Sequence, residues 1–506
     1  MRLLRQIIAA AVLAVSFTTA AMAQSFVLNG VNFDKSAYFT DAELQAVVKP
    51  YVGRSITFAD LTAMMTALQE AYFKAGIVTV QPILPPQTLD QGVLRVSLLE
   101  ASLDRVEIEG LERTSPSFLR RTISLAPGEK PDFDQIERDL RVYELSHDIA
   151  PKIAFKPGQT TGTTTAIISG EEPKPLQFTA SVDNFGREVT GRERLTLFGR
   201  FSSLTGVRDT LTVTAQAAKE AKSLALSYSR PVDDAGGRLV FGASISDASV
   251  LTNPVSGVVI LSNTKSVSIG YRRPFRIEPN SAWFVDANLS AENSRSTIAG
   301  TLFSDVDLYD AYVGVSYQHR EIGSSRSFDI GLRFGNAEAL GTTPTEGTYA
   351  VLTFGAALAR QITDSMIFEA SLRGQLAPDQ NLPVARLFAA GGATSVRGYP
   401  VNVKSGDSGL QIRTQISRAQ PWNLPGAAQL SVTPFGFADV AYVAPFKPAG
   451  GAAPRNEILA SVGAGVRLGL GDYASGILMA AVPLRNTQTF KDKGDPQVYF
   501  GLDFQF

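Results

Sequence analysis

From about residue 176 to the C-terminus the helix signal vanishes and the chain alternates with a period of two. Leu195, Leu197 and Phe201 share one face against Arg194, Thr196 and Arg200. Leu211 and Val213 oppose Thr210, Thr212 and Thr214; Phe328, Ile330, Leu332 and Phe334 oppose Asp329 and Arg333. Successive side chains of a strand point to opposite sides, so each segment has one apolar and one polar face. About sixteen such segments follow one another, roughly one per 20 residues, which is the pattern of a membrane barrel built from ~10-residue tilted strands. A soluble sandwich also alternates, but it turns its apolar faces inward and its charges outward.

An even strand number leaves both ends of the barrel on the periplasmic side. Connections after odd-numbered strands should then be external and long. External loops are expected at 248–263, 292–307, 336–348, 377–407, 441–455 and 485–496, whereas the short gap at 218–222 breaks the rule. The chain ends "QVYFGLDFQF", with Val498, Phe500, Leu502, Phe504 and Phe506 on one face. An edge this apolar is an aggregation hazard unless it closes on the first strand. The terminal aromatic face, Phe504 and Phe506 above all, resembles the sorting signal that outer-membrane assembly machinery reads.

The N-terminus agrees with export. Arg2 and Arg5 precede an apolar run at 7–17, and "AMA" (21–23) is a cleavage site, so 1–23 is expected to be a signal peptide cut after Ala23. No later run approaches the ~20 apolar residues of a spanning helix. The net charge of -1 gives no reason to expect nucleic acid. There are no cysteines and only two histidines, His147 and His319, so no disulfide, thiolate site or histidine metal centre is expected. "GDSG" (406–409) has the form of a protease nucleophile motif, but no triad partners are placed for it, and it is expected to be a turn. No catalysis, cofactor or metal is implied.

The first third mixes helix and strand. "FVLNGVNF" (26–33) reads as a strand, and Thr40 with Glu43 as a capping box opening a helix at 41–48. A second helix follows Thr57, with Leu61, Met64, Met65, Leu68 and Tyr72 on one face and Gly76 at its end. Strands follow at 77–81 and 93–99. "LDRVEIEG" (103–110) starts the pattern again, with helices near 116–123 and 133–143 and strands near 151–155 and 163–169. Two β-α-α-β-β copies in tandem resemble the POTRA domain, a periplasmic module of outer-membrane assembly and secretion proteins.

Three short stretches make the resemblance specific. "SVDNFGREVTG" (181–191) resembles the first hairpin of the two-partner secretion transporters, the ShlB/FhaC/HecB family, through Asp183, Asn184, Gly186, Thr190 and Gly191. "YSRPV" (228–232) resembles that family's turn after the fourth strand. "VRGY", Val396, Arg397, Gly398 and Tyr399, resembles its signature in the loop after strand eleven. The likeness spans the mature chain and implies a signal peptide (1–23), POTRA domains at 24–101 and 102–175, and a sixteen-stranded antiparallel barrel at 176–506 with a lumen loop at 377–407. It also implies that this loop folds back into the barrel, where Arg397 pairs with the aspartate of an F-x-D motif, here Phe437 and Asp439. Alternation puts Asp439 on the face opposite Val432, Pro434 and Ala438, hence towards the lumen. A planar guanidinium suits a carboxylate, and a wet lumen should lower the cost of breaking the pair to about 1–2 kcal/mol. "FVLNG" begins almost at the cleavage site, so the N-terminal plug helix of some relatives is not expected.

The resemblance implies an outer-membrane pore that secretes an unfolded partner exoprotein captured by periplasmic POTRA domains. An assembly insertase of the same superfamily, and a diffusion porin, stand as alternatives.

Overall fold

The computed structural model describes residues 25–88, 90–253, 258–341, 346–378, 380–420, 422–423, 430–446 and 455–506, and the signal peptide assigned to 1–23 lies outside them. Residues up to Gly110, with Ile123–Glu137 and Pro151–Gly170, form one compact unit; Leu111–Thr122, Arg138–Ala150 and Glu171–Phe506 form another.

The first repeat runs β1 (Phe26–Leu28), β2 (Gly30–Phe33), α1 (Asp41–Val48), β3 (Arg54–Ile56), α2 (Phe58–Lys74), β4 (Val80–Ile83) and β5 (Val93–Glu100). The expected single strand at 26–33 is split. β1 pairs with β3, while β2 runs parallel to β5. Asn29 makes the break: its backbone N–H donates to Gly92 O and its side chain to Gln91 O, both at 2.8 Å. Both helices open on capping boxes, Thr40 with Glu43 and Thr57 with Asp60. The Thr40 backbone N–H and hydroxyl hold the Glu43 carboxyl below its usual range. Leu61, Met64, Leu68 and Tyr72 are buried, and Gly76 follows the C-cap Ala75 at φ +79°. The second repeat runs β6 (Ser102–Glu109), α3 (Pro116–Thr122), α4 (Phe133–Ser146), β7 (Lys152–Pro157) and β8 (Thr163–Ser169), with sheet order β6-β8-β7. Glu100 ties the repeats, accepting from Ser36 Oγ at 2.5 Å, the Ala37 N–H at 2.9 Å and Lys130 Nζ at 2.7 Å.

The second unit contains a closed barrel of 16 long antiparallel strands among the described residues. They are β9 (Leu176–Asp183), β10 (Arg194–Ser202), β11 (Thr210–Ala218), β12 (Ala221–Pro231), β13 (Arg238–Asn253), β14 (Val258–Glu278), β15 (Ser281–Ile298), β16 (Thr301–Glu321), β17 (Ser324–Gly341), β18 (Gly347–Thr363) and β19 (Met366–Leu376), and five more beyond the lumen loop. Within that loop lie the short strands β20 (Phe388–Ala390) and β21 (Lys404–Gly406). The wall resumes with β22 (Ser408–Arg418), the two-residue β23 (Trp422–Asn423), β24 (Leu430–Ala444), β25 (Glu457–Leu470), β26 (Ala474–Pro483) and β27 (Gln497–Gln505), which closes on β9.

Leu197, Leu289, Val313, Phe334 and Leu478 project outward, each about half exposed. A continuous apolar belt of this kind has no place in water and matches the hydrocarbon of a membrane. Three of the expected external loops are largely strand among the described residues, with 254–257 and 342–345 lying outside them. β13 reaches Asn253 and β14 starts at Val258; β15 and β16 are joined through residues 299–300; β17 reaches Gly341 and β18 starts at Gly347. Beyond the lipid both faces meet water, so "LSNTK" and "SAENSRST" lose the alternation while the ladder hydrogen bonds continue. The external β11–β12 turn is just Lys219–Glu220.

The seam between β27 and β9 has five residue pairs, Gly501–Gln505 against Asp183–Thr179, where β9 and β10 share eight. Asn184 prolongs it with side chain as well as backbone. Its N–H donates to Phe500 O (3.2 Å), its Oδ1 accepts from the Phe500 N–H (2.9 Å), and its Nδ2 donates to Val498 O (3.0 Å). The Phe506 N–H donates to Phe178 O at 3.0 Å at the other end. Phe504 pairs with Ala180 across the seam and faces outward.

Candidate functional site: the lumen loop and its anchors

β19 and β22 are neighbours in the wall, so the chain between them must leave and return to adjacent points. It does so as a folded hairpin inside the barrel, with β20 paired to β21. Asp407 of the "GDSG" turn supports its base, accepting the Leu382 N–H at 2.6 Å and the Phe446 N–H at 2.8 Å. Ser408 Oγ accepts the Ala377 N–H at 3.0 Å.

Arg397 lies at the tip, 3% exposed, and Asp439 of β24 is equally buried. Nε donates to Asp439 Oδ2 at 2.7 Å and Nη2 to Oδ1 at 2.8 Å, a two-pronged contact, and the Arg397 backbone N–H adds a third bond to Oδ2 at 3.1 Å. Nη1 donates to Gln415 Oε1 at 3.0 Å, and Gln415 passes the connection to Glu369 Oε2 at 2.8 Å. The guanidinium carbon sits 3.4 Å from the centre of the Phe437 ring, so both residues of the F-x-D motif touch Arg397. Arg413 Nε lies 3.8 Å from Asp439 Oδ1. The wet-lumen discount does not apply to this pair. With the two side chains only 3% and 0% exposed, the cost of breaking it belongs in the buried range of about 3–5 kcal/mol.

The rest of the motif fixes the tip. Gly398 has φ +94°, and a Cβ there would lie 3.2 Å from Pro483 N and 3.3 Å from Ala481 O. Its N–H donates to the Tyr499 hydroxyl at 2.9 Å. Tyr399 donates to Arg485 O at 2.8 Å and accepts the Arg485 N–H at 3.2 Å. Val396 and Tyr399 pack with Phe388, Val443, Leu459 and Phe490.

The first-hairpin residues build a brace beside this site. Asp183 accepts Arg194 Nε at 2.8 Å and Nη2 at 3.0 Å, and also the Phe185 N–H at 2.8 Å. Phe185 meets Tyr499 edge-on at 6.1 Å, which connects the hairpin to the hydroxyl holding Gly398. Gly186 allows the hairpin to close, since a Cβ there would meet Gly191 O, and Gly191, at φ +107°, lets the β11–β12 turn approach, since a Cβ there would lie 2.8 Å from Lys219 N. Thr190 is buried, and its carbonyl accepts the Glu220 N–H at 2.8 Å. Phe504 and Phe506 stand apart from the loop, at the seam.

Sequence reasoning missed Gln415, Arg413, Tyr499 and Phe185. Gln415 and Arg413 share the inward face of β22 with Gln411, and that polar alternation was the available signal. Periplasmic to the tip lies a cavity of about 850 Å³ lined by Arg397, Arg413, Gln415, Glu369 and Arg467. Among the described residues no cluster could hold a metal ion.

Residues 162–468 match the family model described as haemolysin secretion/activation protein ShlB/FhaC/HecB. The chain belongs to this family. Residues 26–101 match the ShlB-type POTRA domain. The ShlB/FhaC/HecB assignment agrees with full-length relatives. The heme/hemopexin transporter protein HuxB of Haemophilus influenzae (strain 86-028NP) is 24% identical over 89% of this chain and 82% of that protein. The outer membrane transporter CdiB of Escherichia coli is 23% identical over 79% of this chain and 69% of that protein. The solved structure of CdiB from Escherichia coli superposes with a TM-score of 0.71, at 19% identity, over 97% of this chain and 92% of that one. As a ShlB/FhaC/HecB protein the chain is a two-partner secretion pore of the outer membrane with POTRA domains in the periplasm, and the family is one of transporters, not enzymes.

Proposed function

We propose that the protein secretes one partner exoprotein in unfolded form, and that the loop carrying Arg397 is the barrier that must move for it to pass. The barrel is closed, and among the described residues this loop is the segment folded back inside it. The loop is tied to the wall by side chains, so it can leave without breaking the ladder. POTRA domains at 24–101 and 102–175 capture the N-terminal region of the cargo. The sheet edges β2 and β4 suit strand addition, with backbone bonds supplying affinity and side-chain pockets supplying choice. The cargo then threads a polar lumen, and its folding outside draws it through. The periplasm has no ATP, so no hydrolysis is invoked.

The observation that carries this reading is the buried fork between Arg397 and Asp439, which fixes a removable loop across the path. The test is export by a full-length chain with Arg397→Ala and by one lacking residues 26–101. The expected result is an assembled barrel in both and impaired export in both. Normal export by either variant refutes the role assigned to the part removed.

A further inference from the structure

The inward faces of β16, β17 and β18 carry an anomaly. Leu308, Ala337, Tyr349 and Val351 point into a polar lumen yet are 1–6% exposed. Their cover is the descending limb of the lumen loop, through Leu382 and Leu387. The limb is also bound by charge. Arg386 donates from Nη2 to Asp310 Oδ2 at 2.6 Å, from Nε to the same oxygen at 2.9 Å, and from Nη1 to Glu292 Oε2 at 3.0 Å. Tyr349 OH donates to Asp310 Oδ1 at 2.6 Å, and Arg333 Nη1 lies 3.5 Å from Asp310 Oδ2. Gln380 adds a two-bond clamp on the Ala350 backbone.

These contacts belong to a different part of the wall from those of the tip. Asp310 lies on β16 and Glu292 on β15, whereas Asp439 lies on β24. β16 and β24 are separated by β17, β18, β19 and β22. The apolar cluster under the limb has no member in common with those under the tip. Two sets of partners that share no residue allow each end of the loop to release alone.

We propose that residues 380–387 form a second stopper, held on β15 and β16 by Arg386 independently of the tip, and that Arg386 is the positioning residue that keeps the external half of the pore shut. The inference rests on the reading of the loop as the barrier. It adds that freeing Arg397 alone leaves the outer half plugged, and that passage of a chain needs both anchors undone.

The chain has no cysteine, so one introduced thiol reports without background. Leu382→Cys in the full-length, membrane-inserted protein is treated with a membrane-impermeant maleimide from the external side. Leu387→Cys serves as a second reporter should the first fail to assemble. In an otherwise unchanged chain the thiol is protected. Arg386→Gln is expected to speed labelling about tenfold, as local opening becomes that much more populated. Arg386→Lys, which keeps the charge and loses the fork, gives an intermediate rate. Arg397→Ala leaves the rate within about twofold. A rate unchanged by Arg386→Gln overturns the proposal, and so does an equal rise from Arg397→Ala, which would make the loop a single body. Normal export by Arg397→Ala with fast labelling in Arg386→Gln would defeat the role given to the tip and leave the second stopper standing.

Discussion

Arg397 donates to both carboxylate oxygens of Asp439, at 2.7 and 2.8 Å, from a loop to a strand 42 residues later in the chain. The geometry needs a planar fork, because the backbone N–H already uses one oxygen. Arg397→Lys keeps charge and loses the fork, so it is expected to fall with Arg397→Ala, at least tenfold below the unchanged chain in export per assembled barrel. Asp439→Asn leaves a buried guanidinium without its counter-charge and should do the same. Quantifying secreted cargo against heat-modifiable barrel checks all three.

Gly398→Ala tests the backbone at the tip separately from charge. A non-glycine residue at φ +94° is strained by about 1–3 kcal/mol, and the new methyl would press on the β26 backbone. The expected outcome is an inserted barrel with a displaced tip and export per assembled barrel below that of the parent. Export equal to that of the parent would remove Gly398 from the account.

Asn184→Ala addresses the seam. The substitution removes two side-chain bonds that continue a five-pair ladder, worth about 0.5–1.5 kcal/mol each. The heat-modifiable transition of the barrel should shift to lower temperature. An identical change at an exposed loop residue provides the control.

His147 gives a pH dependence. Burial is the main cause that pushes its pKa down to about 4, and Arg238 reinforces this; the Tyr143 backbone and Asp148 act the other way. Tyr143 stacks on the ring at 4.2 Å and Phe118 meets it edge-on at 5.4 Å. The unfolded chain takes up a proton near pH 6.5, and the folded one waits until about 4. Stability is therefore full above 6.5, falls as the pH drops through that window and levels off below about 4. The loss is on the order of 3 kcal/mol. Hydrogen exchange across residues 138–150 should accelerate over that interval, and His147→Phe should flatten the response.

The barrel was legible because lipid on one side and water on the other impose period two. The alternation assigns strands to 176–183, 366–376 and 408–418, and β9, β19 and β22 have those bounds. The upper parts of β13 to β18 were not legible, because no asymmetry acts on a strand wet on both faces. Arg397 could be found through a motif. Arg386 could not, since its partners Asp310 and Glu292 come from strands about 76 and 94 residues earlier. A clue lay in Tyr349 and Val351, apolar residues on the polar face of β18. The split of β1 from β2 escaped because Asn29 exchanges ladder bonds for equivalent ones to the loop at Gln91 and Gly92.

The unequal heights of the strands give the exit a parapet on one flank. β13 to β18 hold 16 to 21 residues, against 8 to 11 for β9 to β12. At ~3.3 Å per residue the surplus amounts to about 30 Å along the strands, which their tilt reduces to roughly 20 Å of wall height. A polypeptide emerging here meets fixed backbone to one side and open water to the other, so its earliest collapse is steered towards the low rim.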